Sequence, residues 1–356
     1  MYITGIGTAN PNHCYSQYDC YNALSATDLF KDLNAHSRAL LKKVMNGYSG
    51  IQTRYLALDP LNEFTNFNAD ALHARYLQHA PRLAILAAQR ALESANINAD
   101  TIDAVVISTC TGYLCPGLSS YVIEQLPLKP EVVALDLVGH GCGAALPNLQ
   151  TAEALLALNG RCHSVLSICV EVCSAAFYLD DDPGVLISAC LFGDGAAAVV
   201  LSNTPKPGTR TVQWKTSTSV IDPGQRDLLR FEQRNGMLRN ILTPPVPQLA
   251  AQYAEKVLQR LLAEQQLQKQ DINTWIWHTG GRDVLNALAE HIDLDEGDMH
   301  WSRDVLSDCG NMSSPSVMFV LAHALAGNAS PGWWWLSSFG AGFSSYGALL
   351  KVGEMQ

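Results

Sequence analysis

Cys142 stands in Gly139-His140-Gly141-Cys142-Gly143-Ala144-Ala145, a run whose glycines allow a sharp strand-to-helix turn and leave room for a substrate beside the sulfur. An apolar helix is expected to follow, from Cys142 to Leu158, with Pro147 compatible with an early turn. The thiol would then lie at the positive end of a helix, where unpaired N–H groups and the macrodipole favour thiolate. By itself the residue is equally a small buried cysteine. Two further side chains make the chemistry coherent: His278 closes an apolar run before Gly280-Gly281, and Asn311 sits in Gly310-Asn311-Met312-Ser313-Ser314. A thiolate attacks a thioester, an imidazole stabilises it, and a carboxamide donor holds negative charge on a thioester oxygen. His140 is the competing histidine, but across a strand–helix turn its side chain is expected to point away from Cys142.

An internal echo says how such distant residues could meet. Ile102 to Gly112 reads as a buried strand ending in a glycine turn, and Ile272 to Gly281 reads the same way. Each is followed by a leucine-led strand end, at Leu135 and at Leu306, and then a glycine. Apolar helices come next, Cys142 to Leu158 and Asn311 to Ala326. These run into the strands Ser164 to Cys169 and Trp333 to Ser338, and each copy closes on a glycine-punctuated strand, at Phe192 to Val200 and Phe339 to Gly347. Short continuous apolar strands alternating with helices imply sheets covered on both faces. The expected fold class is α/β, a pseudo-duplicated αβαβα sandwich with buried central helices. Its halves would be residues 1–205, carrying the nucleophile, and 206–356, carrying His278 and Asn311. The join is expected in the polar stretch Ser202-Asn203-Thr204-Pro205-Lys206-Pro207-Gly208. Matching helix starts would bring Cys142, His278 and Asn311 to one central point.

Composition excludes other classes. The 356 residues carry a net charge of −10, with 48% hydrophobic and 16% charged residues, so the chain is too apolar for disorder. An acidic balance argues against a general nucleic-acid or membrane-surface binder. No apolar run reaches the length of a membrane span, and the start lacks the features of a signal peptide, so a cytoplasmic location is expected. The ten cysteines are then expected to be thiols, mostly buried; reading Cys110/Cys115 or Cys169/Cys173 as metal-ligand pairs lacks the C-x-x-C spacing of a zinc site.

On these residues the chain resembles the type III polyketide synthases, the chalcone-synthase-like branch of the thiolase superfamily, in a bacterial rather than a plant form. The likeness runs from Ile6-Gly7-Thr8-Ala9-Asn10-Pro11 to Gly340-Ala341-Gly342. Its strongest stretches are Phe192-Gly193-Asp194-Gly195-Ala196-Ala197-Ala198-Val199 and Gly310-Asn311-Met312-Ser313-Ser314, with Gly141-Cys142, the His278 turn and Pro116-Gly117 beside them. The resemblance implies a thiolase-like fold and an acyltransferase in which Cys142 takes a starter acyl group from coenzyme A. His278 and Asn311 would stabilise the enolate formed as malonyl-CoA loses carbon dioxide. The chain would then cyclise to a pyrone, resorcinol or phloroglucinol. It further implies acyl-CoA and malonyl-CoA as substrates, no metal or redox cofactor, a homodimer, and a loop at Cys115 reaching the neighbouring subunit's cavity. Phe192 matches a bulky gatekeeper.

Departures from the plant pattern bear on the product. An ungapped alignment through Gly236 places Arg239 where a second gatekeeper phenylalanine is expected, and Cys115, Cys173 and Ala176 replace larger cavity residues. Smaller walls leave room for long or bulky starters. Ala341 stands where plant enzymes carry proline. Between Asp32 and Asp59 there is no acid, while Arg38, Lys42, Lys43 and Arg54 are present, the expected coenzyme A tract. The arginines from 226 to 239 could meet a phosphate or carboxylate or form salt bridges. A single-condensation ketoacyl-ACP synthase III usually carries a His-Gln-Ala-Asn turn, absent here, and a silent thiolase-like partner would have lost the nucleophile. A cysteine peptidase shares the three residue types but not the two-copy architecture.

Overall fold

The computed structural model describes residues 1–66, 68–158, 160 and 162–354. Nine strands form one mixed sheet, in the order Ile272–Trp277, Gly332–Gly340, Ser344–Val352, Val212–Ile221, Tyr2–Ala9, Gly195–Ser202, Ser164–Glu171, Ala104–Ser108 and Val133–Leu137. The two ends of this order repeat one motif: parallel strands (Ala104–Ser108 with Ser164–Glu171; Ile272–Trp277 with Gly332–Gly340), then antiparallel ones. Val212–Ile221 and Tyr2–Ala9 join them through Ile3 and Val212.

Period-2 alternation sorts the apolar residues into layers. Ala104 and Val106 face the central core, while Val105 and Ile107 face an outer one. Trp334 likewise turns inward and Trp335 outward. The central layer holds the helices Ala145–Leu156 and Ser316–Ala326, whose near-uniform apolar surface suits elements packed on all sides. The long helix Ala69–Ala95 covers one outer face, and Val246–Gln265 with Arg282–Ile292 covers the other. Its approach to the first strand is so close that a Cβ on Gly7 would lie 2.4 Å from the Ala87 carbonyl oxygen.

The echo fails in two stretches. Phe339 to Gly347 is not one strand but spans the turn that joins Gly332–Gly340 to its antiparallel partner Ser344–Val352. Leu306 belongs to the helix Glu296–Cys309, not to a strand like Val133–Leu137. An Asp295–Asp298 capping box starts that helix, which explains why this segment winds although its leucine matched a strand end. Among the described residues no helix is long and apolar enough to cross a membrane, no metal-binding cluster of His, Cys, Asp or Glu occurs, and all ten cysteines are free.

Candidate active site

Cys142 lies in a 3-10 turn, Gly141–Ala144, and the α-helix begins only at Ala145. The expected helix from Cys142 to Leu158 is thus shorter, and the sulfur precedes the helix instead of opening it. The turn must be small on both sides. Gly141 has φ +55°, and a Cβ on Gly143 would meet the Tyr346 ring at 2.9 Å. The thiol, close to the Ser313 hydroxyl, lines a cavity whose wall also includes Ser313. Burial pushes it up to about 12, Glu171 adds to the rise, and the Ser313 contact opposes it.

His278 follows its strand directly. Its N–H donates to the Ser337 carbonyl at 3.0 Å, and its ring meets Phe339 edge-on with centroids 5.1 Å apart. The ring is fully buried, and among the described residues neither nitrogen has a hydrogen-bond partner. Burial alone drives it down to about 3, so the resting imidazole is neutral. An unpartnered polar pair in such a place is costly unless a reacting group supplies the bonds.

Asn311 is not at a helix start either; the next helix begins at Ser316. It is held by a parallel bridge to Phe192, with its N–H on the Leu191 carbonyl and its own carbonyl accepting from Gly193, each at 2.9 Å. Its Oδ1 accepts from the Ser313 N–H at 2.8 Å, which fixes the amide orientation, and Nδ2 points to the Gly280 carbonyl at 3.4 Å. These contacts close a circuit. Cys142 touches Ser313, Ser313 fixes Asn311, and Asn311 reaches the turn after His278. His278 rests on Phe339, and the same strand returns to the cysteine turn through Ser338, whose hydroxyl donates to the Gly143 carbonyl at 3.1 Å.

A family model described as FAE1/type III polyketide synthase-like protein matches residues 11–220, and one for the C-terminal domain of chalcone and stilbene synthases matches 215–351. The chain belongs to the type III polyketide synthase family. It is 30% identical to a 3,5-dihydroxyphenylacetyl-CoA synthase of Streptomyces toyocaensis over 99% of this chain and 86% of the relative. It is 31% identical to a phloroglucinol synthase of Pseudomonas fluorescens, covering 92% of this chain and 93% of that one. In fold it matches 1,3,6,8-tetrahydroxynaphthalene synthase of Streptomyces coelicolor with a TM-score of 0.90 at 21% identity, each chain covered completely (100%). The thiolase-type α/β architecture expected from the sequence is the one observed.

Within this polyketide synthase, Phe192, Cys173 and Ala176 line the same cavity as Cys142; His278 and Asn311 do not line it, and Asn311 meets it through its bridge to Phe192. Cys115 is exposed and does not line the cavity of its own chain. Arg239 is not a gatekeeper: it is buried among Asp180, Asp182 and Glu232, and Phe231 from the facing strand lines the cavity instead. Of the expected coenzyme A tract, Arg54 is a buried part of the cavity wall, donating to the Ala189 and Phe192 carbonyls. Arg38 is spent on the Lys31 and Leu33 carbonyls. Lys42 and Lys43 remain exposed, and Lys43 shares the Tyr48 ring with Arg282, at 4.2 and 3.7 Å from its centroid. The sequence reading missed Arg282 and Ser313, although each lies within four residues of a residue it chose. His140 is half-buried, 3.3 Å from the Tyr346 hydroxyl.

The opposite displacements of Cys142 and His278 carry a pH prediction. Between about 3 and about 12 neither group alone exchanges a proton with solvent; in the catalytic pairing proposed below, the thiol proton passes to the imidazole. Such a transfer releases no proton, and iodoacetamide labelling of Cys142 is expected to be flat from about pH 6 to 9. In His278→Ala the rate should climb roughly tenfold per pH unit, because solvent must take the proton. A steep wild-type profile, read by mass spectrometry of the labelled peptide, contradicts the pairing.

Proposed function

We propose that Cys142 accepts an acyl starter from an acyl-CoA and carries the growing chain. His278 and Asn311 stabilise the enolate released when malonyl-CoA decarboxylates, and the enolate carbon then attacks the thioester. Repeated extension gives a poly-β-keto chain that cyclises to a pyrone, resorcinol or phloroglucinol. The observation that carries this reading is the fully buried His278, whose two ring nitrogens lack partners among the described residues, in a circuit that joins Asn311 to the cysteine turn. The relatives' names support an aromatic or pyrone product. In this reading residues 1–205 supply the nucleophile and residues 206–356 the histidine and asparagine. The enzyme acts in the cytoplasm as a homodimer, with the exposed Cys115 loop facing the partner's cavity, and the thioester chemistry needs no metal or redox cofactor.

Coenzyme A carries several negative charges, and an acidic protein needs a local cationic rim to receive them. The reading assigns that rim to the exposed Lys42 and to Lys43 and Arg282, which share the Tyr48 ring, and not to Arg38 and Arg54, whose donors are turned onto backbone carbonyls. Incubation with malonyl-CoA and a panel of acyl-CoAs, followed by mass spectrometry, tests the reading. Cyclised tri- or tetraketides support it, and a single β-ketoacyl product points to a ketoacyl-ACP synthase III-like reaction. Ala176→Phe should shorten the accepted starter or the polyketide, since it fills space that Ala176 leaves open. An unchanged product profile would remove Ala176 from the working wall.

A further inference from the structure

Leu229–Arg234 and Met237–Leu242 form a two-stranded hairpin outside the main sheet. Its register sets Phe231 opposite Asn240 and Glu232 opposite Arg239. Opposed residues share a face and neighbours alternate, so these two pairs point in opposite directions. Phe231 and Asn240 line the cavity, with Leu229 and Arg230 beside them. Asn240 Nδ2 also donates to the Ser188 hydroxyl at 3.0 Å, one turn before Phe192 at the end of the helix Pro183–Leu191. The wall at Phe231 and the gate at Phe192 are therefore pinned along one seam.

The other face is a latch. Arg239, with its side chain 9% exposed, holds Asp180 at 2.8 Å, Asp182 at 3.2 Å and Glu232 at 3.1 Å. The same acidic run reaches two more elements. Asp181 accepts from the Asn34 N–H at 3.0 Å, at the start of the helix Ala35–Lys43. Asp182 caps the helix Pro183–Leu191 through the Gly184 and Val185 N–H groups. Exposed ion pairs contribute little, but a planar guanidinium enclosed by three carboxylates fixes geometry and leaves uncompensated charge if removed.

We infer that Phe231 is the second specificity-determining wall of the cavity, and that Arg239 is a positioning residue which holds it through Asp180 and Asp182. This rests on the condensing function proposed above. An apolar ring at this point limits the length of starter or polyketide that the cavity accepts; the arginine at the aligned gate position takes no part in the wall and instead fastens the strand pair that carries it.

The test uses the full chain as wild type, Phe231→Ala, Phe231→Trp, Arg239→Met and Arg239→Lys, given malonyl-CoA with straight-chain acyl-CoAs of increasing length. Phe231→Ala is expected to shift the kcat/KM ratio of long to short starters upward by roughly tenfold or more, and Phe231→Trp to shift it downward. Arg239→Met should relax discrimination in the same direction as Phe231→Ala, and Arg239→Lys should restore part of it. Unchanged starter and product profiles in both Phe231 variants, each still condensing, overturn the wall assignment. Retained discrimination in a folded Arg239→Met overturns the latch; if that variant does not fold, an intermediate loss of discrimination in Arg239→Lys supports the latch and wild-type selectivity there overturns it. A wild-type enzyme that makes no polyketide from any starter overturns the underlying function instead, so the two failures are distinct.

Discussion

Cys142→Ala is expected to abolish acyl loading and lower polyketide output by on the order of 10⁶, the scale on which loss of a covalent nucleophile is felt. Other thiols share its cavity, and the same measurement tests them. Cys110 and Cys173 line the same cavity, and burial pushes both thiols well up, as it does Cys142; Glu171 adds to the rise at Cys110, and Asp194 and then Glu171 at Cys173. Cys110 also contacts the Ser313 hydroxyl, at 3.4 Å. Malonyl-CoA decarboxylation should survive in the same variant, because enolate stabilisation is assigned to His278 and Asn311, which the substitution leaves intact. The measurement pairs intact-protein mass after exposure to acyl-CoA with carbon dioxide release from malonyl-CoA. Acyl transfer to the protein in Cys142→Ala would move the nucleophile elsewhere, and simultaneous loss of decarboxylation would tie the thiol to enolate formation.

Asn311→Ala should have the complementary signature. Decarboxylation should fall by about 10²–10³, as when one oxyanion donor is removed, while Cys142 still accepts the starter. The prediction depends on which amide atom faces the substrate. Ser313 N–H donates to Oδ1, so the donor Nδ2 is left on the side of the histidine turn. Asn311→Asp keeps the shape and the Ser313 contact but replaces the donor with an anion, and it should be at least as damaging as alanine. Normal decarboxylation in the aspartate variant would show that donation from this position is not what matters. Starter loading in parallel separates a chemical defect from a folding one, since Asn311 also bridges to Phe192.

Much of this was open to a reader of the residues. Strand alternation and buried apolar helices are local patterns, and the Ala104–Ser108, Ser164–Glu171 and Gly332–Gly340 strands follow them. The glycines around Cys142 and His278 also announce themselves, because a turn that tolerates no Cβ must be written as glycine. The Leu306 segment misled because a leucine before a glycine suits a strand end and a helix end alike; the capping aspartate upstream was the better signal.

By itself the sequence determined the α/β class, the three reactive residue types and the family they resemble, since spacing and side-chain chemistry are properties of the chain read in order. Tertiary structure alone decided which neighbours those residues keep. Ser313 became the link between Cys142 and Asn311, Arg54 turned inward to the Phe192 carbonyl, and Arg239 left the gate to Phe231. The last follows from hairpin register: a shift of one residue exchanges every side chain between faces, and register is set by contacts with elements far away along the chain.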